Sequence, residues 1–234
     1  MSAPVILCIE TATMAGSVWL GSGTVKLATR VGDPKVSQSA SLLQDISDCL
    51  AEAGVKLARV DLFACASGPG SFTGLRIGIA TLKALAASLA RPCVGIPTLH
   101  AVAHAAGPSQ ATVALLPAGR GEVFAQKFSV SESGIVIELD SAAHLSPQRL
   151  VERYAEFRNL KWAGSAAHLQ RDLLEDYARQ GGQIWELAAP ESNLARHVAF
   201  LALQVLESGA IQSPDSLSAI YVRPSDAELN QKCR

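Results

Sequence analysis

The sequence predicts an α/β fold built from two similar halves. Three strand-like segments separated by glycine turns open the chain at Val5, and the same pattern restarts at Thr112. Amphipathic helical segments follow in both halves, an order typical of mixed sheets covered by helices. Gly107-Pro108-Ser109 marks the boundary. We therefore expect an N-terminal lobe over 1–106 and a C-terminal lobe over 107–234, with the last helix able to pack back on the first lobe.

Hydrophobic spacing defines the elements of the first half. The run VILCI at Val5–Ile9 is continuous, as in a strand buried on both faces. Apolar residues recur at three- and four-residue spacing over Ser37–Ala53, which predicts a helix ended by Gly54. The other predicted elements are strands over Ser17–Leu20, Val25–Ala28, Val60–Ala66 and Cys93–Ile96, and helices over Thr73–Ala90 and Thr98–Ala106.

The second half shows a clear helix start at Ser146-Pro147. Serine caps the first free N–H groups of a helix, and proline is tolerated at the first helical position. We expect this helix to run to Phe157, and the polar tail from Ser225 to fray. The other predicted elements are strands over Thr112–Leu116, Glu122–Val130, Ile135–Leu139 and Ile184–Leu187, and helices over Ala166–Arg179 and Asn193–Glu207.

Composition narrows the class of protein. The 20 Lys and Arg residues nearly balance the 21 Asp and Glu residues, so no overall field would attract nucleic acid or a membrane surface. The five cysteines are scattered, a usage typical of reduced, buried thiols in a cytosolic protein. No apolar stretch approaches the ~20 residues of a membrane span, and the start has no basic leader. We expect a cytoplasmic protein that meets RNA only through a partner.

The segment SGPGSFTGLRIG at 67–78 is the most unusual stretch, because it is rich in glycine and lies between a predicted strand and a predicted helix. Such a loop can present backbone N–H groups to a phosphate. However, the Gly-Lys-Ser/Thr ending of a P-loop is missing, and the spacing misses the dinucleotide fingerprint by one residue. The alternative is a tight turn in which Ser71 or Thr73 caps the helix and Phe72 is buried beneath it.

Glu10 and a pair of histidines are the candidates for metal binding. Glu10 ends the first strand and could hold a metal-bound water, but the favoured interpretation is that it accepts backbone N–H bonds in the following turn. His100 and His104 lie one helical turn apart, a spacing that can bind zinc, but no third ligand accompanies them. No GxSxG or His-linked cysteine motif suggests a nucleophile. We therefore predict no catalytic and no metal-binding residue.

The helix after the glycine loop is rich in small residues, including Ala80, Ala84 and Ala87. Small side chains allow close approach, either to the sheet beneath or to a helix of another subunit. The apolar stripe of Ser37–Ala53 lies beside this helix, so an intersubunit helix bundle is as well supported as internal packing. The predicted partner-interface residues are Leu42, Leu43, Ile46, Leu50, Leu75, Ile79, Leu82 and Lys83.

Four segments together point to a family. ILCIETAT at 6–13, SGPGSFTGLRIG at 67–78, RGEVF at 120–124 and IYVR at 220–223 occur in the order found in the TsaB (YeaZ) family. The chain closely resembles this family over essentially its whole length. The family belongs to the actin-like ATPase superfamily, and its members were once described as M22 glycoprotease homologues. Its most specific motif is a loop whose residues are here Gly68, Pro69, Gly70, Ser71, Phe72, Thr73, Gly74, Arg76 and Gly78.

The resemblance implies two actin-like lobes of the ribonuclease H type and a supporting role without catalysis. Members of the family pair, through the first-lobe helices, with a TsaD-type subunit that transfers a threonylcarbamoyl group to the tRNA adenosine beside the anticodon. They form homodimers through the same surface when alone, and a TsaE-type ATPase joins the pair. No cofactor is implied for the chain itself, apart from a nucleotide at a joint interface with the partner. On this basis the glycine loop shapes a strand end and orients a partner-binding helix.

The chain departs from related sequences in three places. TsaD-type chains carry an HxxxH metal-binding pair on the helix that follows a GVN-type strand end. Aligning Gly95-Ile96-Pro97 with that strand end puts Thr98 and Val102 at the two metal positions. His100 and His104 are then out of register by two residues, about 200° around a helix. A second departure is Pro117-Ala118-Gly119-Arg120, where many members read Asp-Ala-Arg; in addition, Val36 precedes the Ser-Gln pair that many members introduce with histidine.

Two other functions remain open at this point. One is an enzyme of the same fold, either a nucleotide-dependent phosphotransferase or an M22-type glycoprotease, for which Gly164-Ser165 would be the candidate adenosine loop. The other is a homodimeric structural protein with no contact to a TsaD-type subunit.

Overall fold

The computed structural model describes residues 3–211 and 213–222. These residues form two compact units: one contains the residues up to Ala101 together with Ser192–Ala219, and the other is built on Val102–Glu191. Each unit has a sheet of its own. Within the described ranges, no helix combines the length and the apolar character that crossing a membrane requires.

The sheet of the first unit consists of five strands: β1 (Val5–Glu10), β2 (Ser17–Ser22), β3 (Val25–Val31), β4 (Leu62–Gly68) and β5 (Cys93–Pro97). Their order across the sheet is β3-β2-β1-β4-β5. The first three strands form an antiparallel meander, whereas β1, β4 and β5 are parallel. Central parallel strands are covered on both faces, which explains the almost unbroken burial of β1 and β4.

The sheet of the second unit repeats this arrangement. Its strands are β6 (Ser109–Gly119), β7 (Glu122–Val130), β8 (Val136–Glu138), β9 (Ala143–Leu145), β10 (Asn159–Ala163) and β11 (Ile184–Leu187). Their order is β11-β10-β6-β7-β8, with β9 paired to β7. The strands β6, β7 and β8 are an antiparallel meander, and β10 and β11 continue in parallel from β6. The prediction that each half opens with a three-strand meander is confirmed.

Helices flank both sheets. They are α1 (Gln38–Glu52), α2 (Phe72–Ser88), α3 (Thr98–Ala105), α4 (Pro147–Tyr154), α5 (Ser165–Leu169), α6 (Arg171–Gly181) and α7 (Leu194–Glu207). In the first unit, α1 buries Leu42, Ile46 and Cys49 beside β2 and β3, while α2 lies on β4. The last helix, α7, packs against β1, β2 and β4. The first sheet is therefore covered by α1, α2 and α7.

The second unit differs from the sequence-based expectations in some of its helices and strands. The helix predicted over Ala166–Arg179 is two helices, because the chain leaves helical geometry at Gln170. The helix that begins at Pro147 ends at Tyr154 rather than at Phe157. Strands β9 and β10 are not among the predicted elements. Both are short and mix polar with apolar residues, so their sequences show little periodicity.

Four cysteines are buried as thiols: Cys8, Cys49, Cys65 and Cys93. Burial raises the pKa of Cys65 to about 12 and that of Cys49 to about 11. The prediction of buried thiols is confirmed for these four. Cys233 and the tail from Ser225 lie outside the described residues, as does Arg223 of the IYVR segment.

Aromatic side chains fill the core of the second unit. Tyr154 and Trp162 meet edge to face with ring centroids 5.6 Å apart, and Trp185 lies 4.9 Å from Trp162. Tyr177 stacks on Trp185 at 5.6 Å. Contacts of this type add about 0.5–1.5 kcal/mol per pair to the gain from burial. The cluster therefore anchors β10 and β11 to the surrounding helices.

Asp140 ties the aromatic core to the sheet. Its carboxylate accepts hydrogen bonds from the Tyr154 hydroxyl (3.0 Å), the Lys127 backbone N–H (2.6 Å) and the Arg153 guanidinium (3.0 Å). Burial, together with the nearby Asp140 charge, raises the pKa of Tyr154, so its hydroxyl remains a donor at neutral pH. One carboxylate thus satisfies three donors in a partly buried setting.

Replacing Asp140 by alanine is expected to destabilise the second unit by about 2–3 kcal/mol, because three donors lose their acceptor. Urea unfolding followed by tryptophan fluorescence measures this loss, since Trp162 and Trp185 lie in the same unit. The control is Asp176→Ala, which breaks a surface pair with Arg179 (side chains 61% and 75% exposed) and should cost less than about 0.5 kcal/mol. Equal losses in the two variants would contradict the prediction.

Candidate functional site

The candidate site begins where β1 ends. Glu10, the last residue of β1, is 0% exposed. One carboxylate oxygen, Oε1, accepts the backbone N–H of Thr13 (2.7 Å), and the other, Oε2, accepts the Thr13 hydroxyl (2.7 Å). Burial raises the pKa of Glu10, while the bonds from Thr13 act in the opposite direction. The predicted role of Glu10 as an acceptor for the following turn is confirmed.

The glycine loop between β4 and α2 contacts that turn. The backbone N–H of Ser71 donates to the carbonyl oxygen of Ala12 (2.8 Å). The Ser71 side chain accepts the N–H of Gly74 (3.2 Å) and so caps α2, as predicted. At the other end of the loop, the N–H of Gly68 donates to Thr98 Oγ1 (3.1 Å). These three backbone donors of the loop are therefore bonded within the chain and are not available to an anion.

Glycines in this loop allow α2 to lie directly on the turn. A Cβ atom on Gly74 would lie 1.9 Å from the carbonyl oxygen of Thr11, and one on Gly78 would lie 2.1 Å from Thr11 Oγ1. A Cβ atom on Gly70 would come within 2.6 Å of Ala12. Backbone atoms cannot swing aside as a flexible side chain can, so the close approach requires glycine. The loop is a packed joint between β1 and α2.

Phe72 lies in a different position from the one predicted. Its side chain is 37% exposed rather than buried beneath the helix. The Arg76 guanidinium lies 3.9 Å from the centroid of its ring, in a cation–π arrangement. Leu75 is the residue that points into the core at this turn of α2. The expectation of a buried Phe72 is wrong, because this residue begins the helix on its outer face.

Gln38, the first residue of α1, contacts the same turn. Its side-chain amide donates to the carbonyl oxygens of Thr13 (2.7 Å) and Met14 (3.4 Å). Sequence reasoning does not select Gln38 as a site residue. The one available signal is the Ser-Gln pair that the family carries at the entrance to this helix. The N-terminal ends of α1 and α2 are thus both attached to the turn that follows Glu10.

The structure divides the predicted interface residues into groups. Lys83 donates from its ammonium group to the backbone carbonyls of Leu217 (3.1 Å) and Asp215 (3.4 Å), within the same unit. Leu50 is half-buried against the core, whereas Leu43 is 65% exposed. The remaining five are buried in the first unit: Leu42, Ile46, Leu75, Ile79 and Leu82.

The outer sides of α1 and α2 carry exposed apolar and small residues. Leu43 is the exposed leucine of α1, and Ala80, Ala84 and Ala87 are exposed along α2. We call these four residues the helix face. Because three of the four are alanines, the helix of another subunit could approach the backbone of α2 closely.

Two other predicted positions are turns of defined geometry. Gly119, Arg120 and Gly121 all have positive φ values (83°, 52° and 79°), which closes the tight hairpin between β6 and β7. Gly164 has φ 94°, and a Cβ atom there would lie 2.2 Å from the carbonyl oxygen of Leu115. In the second unit, too, the start of a helix is pressed onto the strand that opens the meander.

His100 and His104 are half-buried residues of α3. Over residues 3–211 and 213–222, no three His, Cys, Asp or Glu side chains lie close enough together to hold one metal ion.

Comparison with known proteins relates this architecture to a family. The family model described as TsaD, tRNA N6-adenosine threonylcarbamoyltransferase, matches residues 37–196. The tRNA threonylcarbamoyladenosine biosynthesis protein TsaB of Escherichia coli (strain K12) is 28% identical over 222 residues, which cover 93% of this chain and 94% of that protein.

Solved structures show the same fold. An uncharacterized protein with similarity to peptidase YEAZ, from Pseudomonas aeruginosa, superposes with a TM-score of 0.77 and 26% identity, covering 94% of this chain and all of the other. YeaZ from Pseudomonas aeruginosa gives a TM-score of 0.75 at 24% identity, with 93% and 99% of the two chains covered. The predicted actin-like α/β class, with two mixed sheets flanked by helices, is confirmed. The chain belongs to the family that the TsaD model describes and, within it, to the TsaB (YeaZ) group.

Proposed function

We propose that this protein is a non-catalytic subunit that binds a TsaD-type catalytic subunit and supports threonylcarbamoylation of the tRNA adenosine next to the anticodon. The similarity to a TsaB protein over nearly the full length of both chains supports a place in this biosynthesis. The single structural observation that carries the proposal is the closed glycine loop. Three of its backbone donors, those of Ser71, Gly74 and Gly68, are bonded to Ala12, Ser71 and Thr98, and its glycines serve the packing of α2.

The helix face is the proposed contact surface for the catalytic subunit. Leu43 offers an apolar side chain to solvent, and the exposed alanines of α2 leave room for a partner helix. A stable interface of standard size buries ~1,600 Å² in total, so the outer sides of α1 and α2 would form its centre rather than its whole extent. The buried leucines and isoleucines of α1 and α2 support this surface from beneath and do not touch the partner.

The same face would pair two copies of the chain when the catalytic subunit is absent. In the full assembly a TsaE-type ATPase joins the heterodimer, and tRNA is bound only by the complex, because the chain has almost no net charge to attract RNA by itself. Any nucleotide would bind at a joint interface with the partner. We place this assembly in the cytoplasm.

A catalytic role is the competing proposal, since the matching family model carries the name of a transferase. A chain with that role would act without a partner. The experiment below therefore includes the isolated chain.

Leu43→Glu is expected to weaken binding to the TsaD-type subunit of the same source at least about tenfold, because it places a charge at the centre of an apolar contact. Size-exclusion chromatography with light scattering, run with and without ATP, measures the association. The matched control is Leu169→Glu, which changes a leucine of similar exposure (73%, against 65% for Leu43) on α5 and should bind like the unaltered chain.

Normal binding by the Leu43→Glu variant would show that the partner contacts a surface other than the helix face. An unaltered chain that fails to form the heterodimer, and that hydrolyses ATP or transfers the threonylcarbamoyl group alone, would overturn the proposed function and return the glycine loop to the phosphate-binding interpretation.

Lys83→Met is expected to lower stability by about 1 kcal/mol while changing partner affinity less than about twofold, because its ammonium group bonds Leu217 and Asp215 of its own chain. Thermal unfolding and the association assay provide the two measurements. Lys56→Met, at an exposed lysine, is the control and should change neither. A loss of affinity without a loss of stability would contradict this prediction and show that Lys83 contacts the partner.

A further inference from the structure

The turn at Thr11–Met14 contacts both helices that carry the helix face. At the start of α2, the backbone N–H of Ser71 donates to Ala12 (2.8 Å). At the start of α1, the Gln38 amide donates to Thr13 (2.7 Å). Because both bonds end on the backbone of one short turn, the relative placement of the two helix ends depends on the shape of that turn.

The carboxylate of Glu10 fixes the turn by accepting two hydrogen bonds from it. The pairing of β1 with β2 ends at Glu10 and Ser17, so the residues that follow are no longer fixed by the sheet. From that point the carboxylate binds both the N–H and the hydroxyl of Thr13, each at 2.7 Å. Glu10 is fully buried, so water cannot replace these bonds without opening the structure.

Close packing would pass any displacement of the turn on to α2. The carbonyl oxygen of Thr11 and its hydroxyl lie against the backbone at Gly74 and Gly78, where even a methyl group would not fit. In a contact packed this densely, one segment cannot shift without displacing the other. On the α1 side, a Cβ atom on Gly16 would lie 2.9 Å from Nε2 of Gln38, which is the end of a flexible side chain, so the link to α1 rests on the Gln38 hydrogen bonds rather than on packing.

We propose that Glu10 is a positioning residue of the helix face: by fixing the turn at Thr11–Met14, it sets the N-terminal ends of α1 and α2 and thereby the surface that a partner meets. The identity of the partner rests on the proposed function. The coupling between the carboxylate and the two helix ends rests on the hydrogen bonds and contacts just described. Glu10 acts through Thr13 and does not itself touch the partner.

Two isosteric changes at Glu10 separate positioning from simple filling of space. Glu10→Met keeps the volume but has no strong acceptor for Thr13. Glu10→Gln keeps an acceptor for the Thr13 N–H, and its amide N–H can donate to the Thr13 hydroxyl. The pair Thr13→Val and Thr13→Ser tests the same link from the other side, since valine removes the hydroxyl and serine keeps it.

Amide hydrogen exchange by NMR on the isolated full chain is the first measurement. Glu10→Met should raise exchange at least about tenfold at Ser71, and likewise at Ala40 and Ser41, whose N–H groups bond Ser37 in the first turn of α1. In Glu10→Gln, exchange at these amides should stay within about threefold of the unaltered chain. Thr13→Val should raise exchange by less than Glu10→Met does, and Thr13→Ser should leave it unchanged.

The control lies at the opposite end of β1. Asp61 accepts the backbone N–H of Val5 (2.9 Å), so Asp61→Ala also removes a carboxylate that is hydrogen-bonded to this strand. It should leave exchange at Ser71, Ala40 and Ser41 unchanged. Normal exchange at these amides in Glu10→Met would overturn the proposal, because it would show no coupling. An equal increase at Phe63 in the interior strand β4 would also overturn it, because it would show general loosening of the first unit.

Association with the TsaD-type subunit is the second measurement. Glu10→Met should raise the dissociation constant about tenfold, and Glu10→Gln should restore it. Equal affinity of both variants and the unaltered chain would overturn the link from Glu10 to the helix face. If the unaltered chain does not bind, the proposed function fails, while the exchange measurement still decides whether Glu10 sets the helix ends.

Discussion

The carbonyl oxygen of Thr11 lies only 1.9 Å from the point that a Cβ atom on Gly74 would occupy. Because neither backbone can yield, α2 can rest on the end of β1 only if this position has no side chain. The Ser71 N–H donates to the Ala12 carbonyl beside this contact, and the Gln38 amide at the start of α1 donates to the same turn at Thr13. The loop, the strand end and both helix starts therefore depend on one close backbone contact.

Features that depend on neighbouring residues could be predicted from the sequence. Ser71 caps α2, Ser146 caps α4 and Glu10 accepts the N–H of Thr13, and in each case the partner is three residues away. The two meanders could be predicted for a similar reason, since apolar segments separated by glycine turns carry their signal within a few residues. The glycine loop was recognisable as a special turn, although its partner in the fold was not.

Contacts between distant residues could not be predicted in this way. Lys83 binds a carbonyl 134 residues further along the chain, and the Gln38 amide reaches back 25 residues, so both require the finished fold. The apolar stripe of α1 posed a related problem. A stripe shows which residues are apolar but not where the core ends, and Leu42 is buried whereas the adjacent Leu43 is exposed. Strand β10 was missed because five residues of mixed polarity carry too little periodicity.

The buried cysteines of the first sheet can report whether that sheet has opened, because they react only when they are exposed. Cys8, Cys65 and Cys93 lie on β1, β4 and β5, the strands at the centre and edge of the first sheet. Only the thiolate reacts readily, and a thiol with a pKa of about 12, such as Cys65, is ionised in only about one molecule in 10⁵ at neutral pH. When the sheet opens, each thiol regains a pKa of about 8.5 and access to solvent, so its reactivity rises by orders of magnitude. Each modified thiol on these strands would therefore mark a molecule whose first sheet has opened at least once.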